Sequence, residues 1–364
     1  MASDSTLYRT FRHITPETLA ALWEAMAEVR AEVWRRSSAT TGSAPVVLDL
    51  DASLVEIHSE NKEGTAPTYK GGFGFSPMFC FADATGEALA GLLRPGNAGA
   101  NTVADNLAVL DAGVAQLPTD IAAGHRRGDD PALVDRAVMV RADSAGCTHG
   151  FVHGCRDRNI GFAVVARSNA AIHAAISKIL GDESRWSAAT RHDGEERPKA
   201  AVGELSDLVE LPDWPEGTRL IVRREPLHPG AQQSLFPSMT YRYWGHYTDQ
   251  AGDPVILDAH MRAHAHVEDH IRRLKALGLE RFPFVDLDAN RAWLAEVCFA
   301  ADLVRWFQLL VRWPWPSPRR CAGGLWHTPA RIVRKAGAEV VRILDGWPTA
   351  EAVLSTYQRM VLIT

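Results

Sequence analysis

The stretch Val46-Val47-Leu48-Asp49-Leu50-Asp51-Ala52-Ser53-Leu54-Val55 sets two carboxylates inside an otherwise apolar run. Aliphatic and β-branched residues at this density predict a strand. Its period of two turns Asp49 and Asp51 to one face. A second run, Val138-Met139-Val140-Arg141-Ala142-Asp143, also ends on an acid. A third acid, Glu268, lies in a strongly helical stretch in which Val267, Ile271 and Leu274 make the packing face. Glu268 and Lys275, seven residues apart, share a helical stripe with Met261, His264 and Arg272. Carboxylates are hard oxygen ligands suited to magnesium or manganese, and paired ions of that kind drive in-line displacement at phosphodiesters. Acids are mostly surface residues, so plainer readings stand beside this one: Asp49 or Asp51 as an edge charge, and Glu268 paired with Arg272 on a solvated helix face.

Around these acids the chain alternates strands and helices. Thr15-Pro16-Glu17 reads as the capped start of a helix ending near Arg36, the one helix expected before Asp51. Residues 66–90 predict a hairpin turning at Asp83-Ala84-Thr85-Gly86, and Thr102 to Leu117 a helix. The Asp143 strand, a helix and a strand at Phe162 to Ala166 follow, which together predict a mixed sheet with helices on its faces. Leu220 to Arg224 and Tyr241 to Trp244 read as antiparallel strands of an inserted β-rich segment. From Asp258 the chain is mostly helical until Trp313-Pro314-Trp315-Pro316. The resulting division is 1–45 as N-terminal segment and linker, 46–185 and 256–311 as the two parts of the core, 186–255 as the insertion and 312–364 as a tail.

With 364 residues, 46% hydrophobic, the chain has the composition of a globular protein. Five scattered cysteines, an odd number, argue against a disulfide framework and for a reducing compartment. No signal core opens the sequence. The most apolar long stretch, Trp293 to Val311, carries Glu296, Asp302 and Arg305, which excludes a lipid-facing span. A cytoplasmic protein without membrane partners is the expectation. The net charge of -5 argues weakly against nucleic acid, but the local basic runs 262–281 and 312–342 leave room for a DNA-binding surface.

Cys147, His149, His153 and Cys155 lie close together, yet their spacing fits neither a Cys-x2-Cys pair nor a zinc finger. His266 and His270 are four apart on a helix, but Glu268 is one position late for a His-Glu-x-x-His metalloprotease motif. The Gly71-Gly72-Phe73-Gly74 and Pro95 to Gly99 stretches lack the Lys-Ser/Thr of a phosphate cradle and read as tight turns.

Several segments in order resemble the DDE transposases of bacterial insertion sequences, in particular the "thirteen-eighty" group with its RNase H-like core. They are Leu48 to Val55, Lys70 to Phe75, Leu92 to Asn101, Arg141 to Gly146, and Val267 to Ile271 with Lys275. The resemblance implies an RNase H-like mixed sheet flanked by helices, with Asp51, Asp143 and Glu268 as the catalytic acids holding two Mg2+ or Mn2+ ions. It places Lys275 on the signature lysine and Met261 and His264 where relatives carry Tyr and Arg. Asp49 falls just behind the acids, and Arg272, His264 and Lys70 face DNA with Lys275. The histidine-rich run from His260 to His270 stands where relatives hold DNA-facing arginines. The implied activity is metal-dependent strand cleavage and strand transfer, by a homo-oligomer acting on element ends and target DNA. Trp214 and Trp244, in the insertion, are candidates for stacking on a displaced base. Relatives carry a longer N-terminal region, so this chain reads as a shortened member. A non-catalytic DNA-binding relic or regulator, and a free-standing nuclease of the same fold, are the alternatives.

Overall fold

The computed structural model describes residues 4–37, 45–59, 61–122, 137–191, 194–227, 241–311, 328–335, 338–344 and 346–363. The Trp313 to Pro316 break and Cys321 lie outside them. Two helices precede the first strand, α1 (Asp4–Phe11) and α2 (Pro16–Ser37), where one was expected. The short α1 has little helical signal of its own. It is held by tertiary packing, with Tyr8 and Phe11 set against Phe284 and Phe11 also against Trp293.

Strand β1 (Val46–Ala52) is followed by a small sheet of β2 (Val55–Glu56), β3 (Ala66–Pro67) and β4 (Phe73–Phe75), then by β5 (Met78–Ala82) and β6 (Glu87–Leu92). β5 and β6 form the expected hairpin, turning at Asp83–Gly86, where Gly86 takes the left-handed conformation that a β-carbon would strain. Helices α3 (Val103–Val114) and α4 (Thr119–Ala122) come next. β7 (Val138–Ala142), α5 (His149–Arg156), β8 (Gly161–Val165) and α6 (Ala170–Lys178) then complete the first half. β1 pairs antiparallel with β5 and parallel with β7, and β7 pairs parallel with β8. The order β6-β5-β1-β7-β8 with these directions is an RNase H-like core.

The 186–255 segment supplies β9 (Ser187–Thr190), β10 (Glu196–Glu204), β11 (Arg219–Pro226) and β12 (Tyr241–Thr248). These strands continue the core sheet, because β12 pairs antiparallel with β8, so that nine strands of the described residues form one sheet. Helix α7 (Pro254–Arg262) packs on β9, β10 and β11, and α8 (His266–Leu277) and α9 (Leu287–Val311) return to β1 and β6 of its first half. Beyond them a hairpin, β13 (Ala330–Lys335) and β14 (Ala338–Ile343), precedes α10 (Ala350–Ile363). No helix among the described residues is long and apolar enough to cross a membrane.

Alternation along the strands decides what each face meets. Leu48, Leu50, Val138 and Val140 enter a large core with α2, α3 and α5. Phe79 and Phe81, the cross-strand partners of Asp51 and Asp49, pack on the other face against Val267, Ile271 and Leu274 of α8 and Leu294 and Val297 of α9. Helix α2 is anchored by the fully buried Arg30. Its guanidinium donates to Glu87 (2.9 Å), Gln116 (2.6 Å) and Asp302 (2.6 Å), and the indoles of Trp34 and Trp306 donate to the same Glu87. Burial pushes the Asp302 carboxyl up to about 7, against the pull of Arg30. Removing one partner of such a cluster strands the others, so Arg30→Met is expected to cost about 3–5 kcal/mol in urea unfolding at pH 8. The loss should be smaller at pH 6, where Asp302 takes up a proton.

Candidate active site

Asp51 and Asp143 are brought side by side by strand pairing. The β1–β7 register runs Asp49 to Arg141 and Leu50 to Ala142, so Asp51 and Asp143 each follow the last paired residue at the C-terminal ends of two adjacent parallel strands, within electrostatic reach of each other. Asp143 Oδ1 accepts from the Ala145 amide at 2.8 Å, which fixes the carboxylate at the mouth of the turn into α5. Gly146 closes that turn, since a β-carbon there would lie 2.5 Å from that of Ala142. Asp51 Oδ1 accepts from the Ala52 amide at 2.7 Å.

Glu268, exposed in the first turn of α8, completes the group. The Asp51 pKa is pushed up to about 6, first by burial, against the pull of the Ala52 amide. The charges of Asp143 and Glu268 add to the rise and His264 opposes it, so all three lie within electrostatic reach. Among the described residues none of the three acids has an ion-pair partner. Arg272 pairs with Asp269 at 2.6 Å and not with Glu268, so the solvated-pair reading of Glu268 does not hold. No three His, Cys, Asp or Glu side chains of the described residues are close enough together to hold one ion as they stand. The donor set nevertheless suits a hard divalent cation: carboxylate oxygens only, none of them held in an ion pair among the described residues.

Two rungs behind the acids lies a layer of which the sequence reading anticipated only Asp49. Asp49 is fully buried and receives Arg141 in a two-pronged bond, Nε to Oδ1 at 2.8 Å and Nη2 to Oδ2 at 2.6 Å. His264 Nδ1 donates to the same Oδ1 at 2.8 Å. Burial raises the Asp49 pKa, but the bonds from His264 and Arg141 outweigh it and hold the carboxyl below its ordinary value. Arg141 also reaches Asp83 at 3.0 Å and the His260 carbonyl at 2.6 Å.

This layer corrects two expectations. His264 was read as facing DNA, yet it is buried beneath the acids, because the carboxylate of Asp49 draws its imidazole inward. The stripe shared by Met261, His264 and Glu268 is also broken. A 3-10 turn at Ala263–Ala265 separates α7 from α8, and its tighter winding rotates the earlier side chains off the Glu268 face. Met261 packs with Met139 and Ala163 instead. Of the histidine-rich run, His264 and His270 are buried while His266 is exposed and contacts Asp83.

Lys275 keeps the stripe of Glu268 on α8, half-buried and 3.6 Å from Glu280, and Arg272 is exposed one turn away. Lys70 is exposed on the β3–β4 turn, its ammonium over the Tyr69 ring, and makes no contact with the acids. Trp214 stacks on Tyr247 at 4.1 Å and meets His149, which makes it a packing residue. Trp244 lies between the guanidiniums of Arg223 and Arg242. The side chains between Cys147 and Cys155 diverge, with Cys155 in the core and His153 on the Asp213 carbonyl.

An RNase H-like sheet with an acid at the end of each of two central strands, and a third acid on the helix crossing them, defines a protein of the DDE class. The chain belongs to the transposase DDE domain group 1 family, whose model matches residues 1–362. A search of curated proteins finds no match. Among solved structures the chain is similar to piggyBac transposase in a cryo-EM synaptic complex with hairpin DNA, at 8% identity and a TM-score of 0.38. That match covers 74% of this chain and 48% of the other, so the chain spans about half the length of that protein.

The raised Asp51 pKa fixes the sign of a stability test. A carboxyl whose pKa rises from 3.8 unfolded to about 6 folded leaves the fold unpenalised at low pH and weakens it as pH climbs through 6. Asp51→Asn should therefore stabilise the metal-free protein by about 2–3 kcal/mol at pH 8. Chemical denaturation with EDTA present should show that gain closing to nothing near pH 4.

Proposed function

We propose that the protein is a transposase that cleaves and joins DNA strands in a divalent-metal-dependent reaction, with Asp51, Asp143 and Glu268 as the acidic residues. The observation that supports this reading is the β1–β7 register, whose last pair, Leu50 and Ala142, immediately precedes Asp51 and Asp143, with Glu268 of α8 within electrostatic reach of Asp51. Membership of the DDE family supports it.

Asp51 and Asp143 would hold the metal ions, Mg2+ or Mn2+, with Glu268 joining from α8. Such ions, when bound, supply a water activated at neutral pH and charge stabilisation for the leaving oxygen. The chain's own residues do the rest. The Ala52 and Ala145 amides orient the two strand carboxylates, and the Arg141–Asp49–His264 layer keeps the strands in register beneath them. Lys275, one stripe along α8 from Glu268, would bind a phosphate of the DNA, with Arg272 and Lys70 as further contacts. The active form would be a homo-oligomer that brings two element ends together.

A second reading, DNA binding without cutting, draws on the exposure of Glu268 and on the open spacing of the acids. One experiment separates the two. Plasmid DNA carrying the repeats that flank the gene is incubated with wild type, Asp143→Asn and Glu268→Gln in magnesium and in manganese. Cutting at the repeat boundaries by wild type, reduced more than about a hundredfold in both variants, is the expected result. Binding of the same DNA without cutting under any metal would establish the second reading, and full activity of Asp143→Asn would sink the acidic assignment.

A further inference from the structure

Helix α8 presents a second polar surface, turned away from Glu268 toward the β5–β6 turn and α9. His270 is 6% exposed there, its ring against Phe81. Arg273 Nη1 lies 3.2 Å from His270 Nδ1. A guanidinium has only donors, so Nδ1 is the acceptor and the proton of the neutral ring sits on Nε2. That Nε2–H is buried and has no hydrogen-bond partner. From α9, Arg305 donates to the Thr85 carbonyl (2.7 Å) and to Gln308 (2.9 Å).

All three groups converge on Gly86. A β-carbon built there would lie 3.0 Å from Arg273 Nη1, 3.0 Å from His270 Cε1 and 3.3 Å from Arg305 Nε. No carboxylate of the described residues is in ion-pair range of Arg273 or Arg305. The acids nearby are taken: Glu87 and Asp302 bind Arg30, and Asp83 binds Arg141. The crevice between these side chains has an inner volume of about 10 Å³, room for a single oxygen atom. Its polar lining side chains are His270, Arg273, Arg305 and Gln308, and the Gln308 amide oxygen is already taken by Arg305. A water oxygen would meet the His270 N–H and leave two guanidiniums without a counter-charge, whereas a phosphoryl oxygen answers both.

We propose that the crevice between the β5–β6 turn, α8 and α9 is an anion site that takes one oxygen of a phosphate group from Arg273, Arg305 and His270 Nε2–H. It is separate from the acids. The Asp83 amide bonds the Val47 carbonyl, four residues back along β1 from Asp51, or about 13 Å of extended strand. The site does not depend on metal or on cleavage. The phosphate comes either from a DNA backbone passing this flank or from free phosphate, and the two sources are distinguishable.

The test uses the full chain in EDTA, with ¹⁵N-histidine labelling and the His270 Nε2 signal assigned by His270→Asn. Inorganic phosphate, and separately a short duplex of arbitrary sequence, are titrated into wild type, Arg273→Gln and Arg305→Gln, with Arg305→Lys as the charge-retaining control of folding. A DNA source predicts that the duplex shifts the Nε2 signal in wild type and Arg305→Lys. In each Gln variant the slope of log affinity against log salt should then fall by about 1. A shift with inorganic phosphate and an unchanged salt slope assigns the site to free phosphate. No shift of His270 Nε2 in wild type with either ligand overturns the proposal, and because no cutting is read, that failure leaves the metal assignment untouched.

Discussion

The parallel pairing of β1 with β7 is the constraint on which the rest depends. Side chains alternate with a period of two, so a slip of one residue would send Leu48 and Leu50 to the α8 face and drive Asp51 into the aliphatic core. Hydrophobic patterning resists that slip, and the Asp49–Arg141 pair resists it more specifically, since the two-pronged bond exists only when these residues are cross-strand neighbours. A buried ion pair adds little net stability, because desolvation cancels most of its attraction. Its effect here is geometric: with rung 49–141 locked, the positions of Asp51 and Asp143 follow.

Much of this is legible in the amino-acid sequence. The alternation at Val46 to Val55 assigned both faces of β1, and the Asp83–Gly86 turn gave the hairpin. The run ending at Asp143 predicts an acid at a strand end, whereas the run through Asp51 reads on to Val55 and the strand stops at Ala52. The helix carrying the third acid was less legible. Arg262-Ala263-His264-Ala265 contains neither glycine nor proline, so it reads as unbroken helix. The break is tertiary in origin. The His260 carbonyl, which would accept from the amide four residues on in a regular helix, is taken by Arg141 and by the Ala263 amide, while His264 is drawn to Asp49. Contacts between residues more than a hundred positions apart override local propensity there. The same holds for β9–β12. Their strand character is local, but their attachment to the core sheet rests on β12 meeting β8, a pairing that no local pattern encodes.

The charges of the molecule are sorted in an unusual way around α8. On one side, acids lie together with no cation among the described residues to pair them. On the other, two arginines and a histidine donor lie together with no carboxylate of the described residues in ion-pair range of the arginines. A chain optimised for stability alone would have set these groups against each other, as it does at Arg30, where two carboxylates, an amide and two indoles close around one guanidinium.

The contrast between these clusters gives α8 its meaning. Apolar packing through Val267, Ile271 and Leu274 fixes the helix to Phe79 and Phe81, so its two polar flanks cannot turn toward one another to neutralise their charge. The burial of the Asp51 carboxyl and the orphaned donor of His270 are both held in place by that packing and by the Asp49–Arg141–His264 layer at the helix's start. Free energy lost at each flank is offset by the apolar face between them. What remains is one rigid element that presents hard anionic ligands on one side and an anion-seeking pocket on the other, a set distance apart. A phosphate-rich polymer requires both kinds of partner from a surface that processes it.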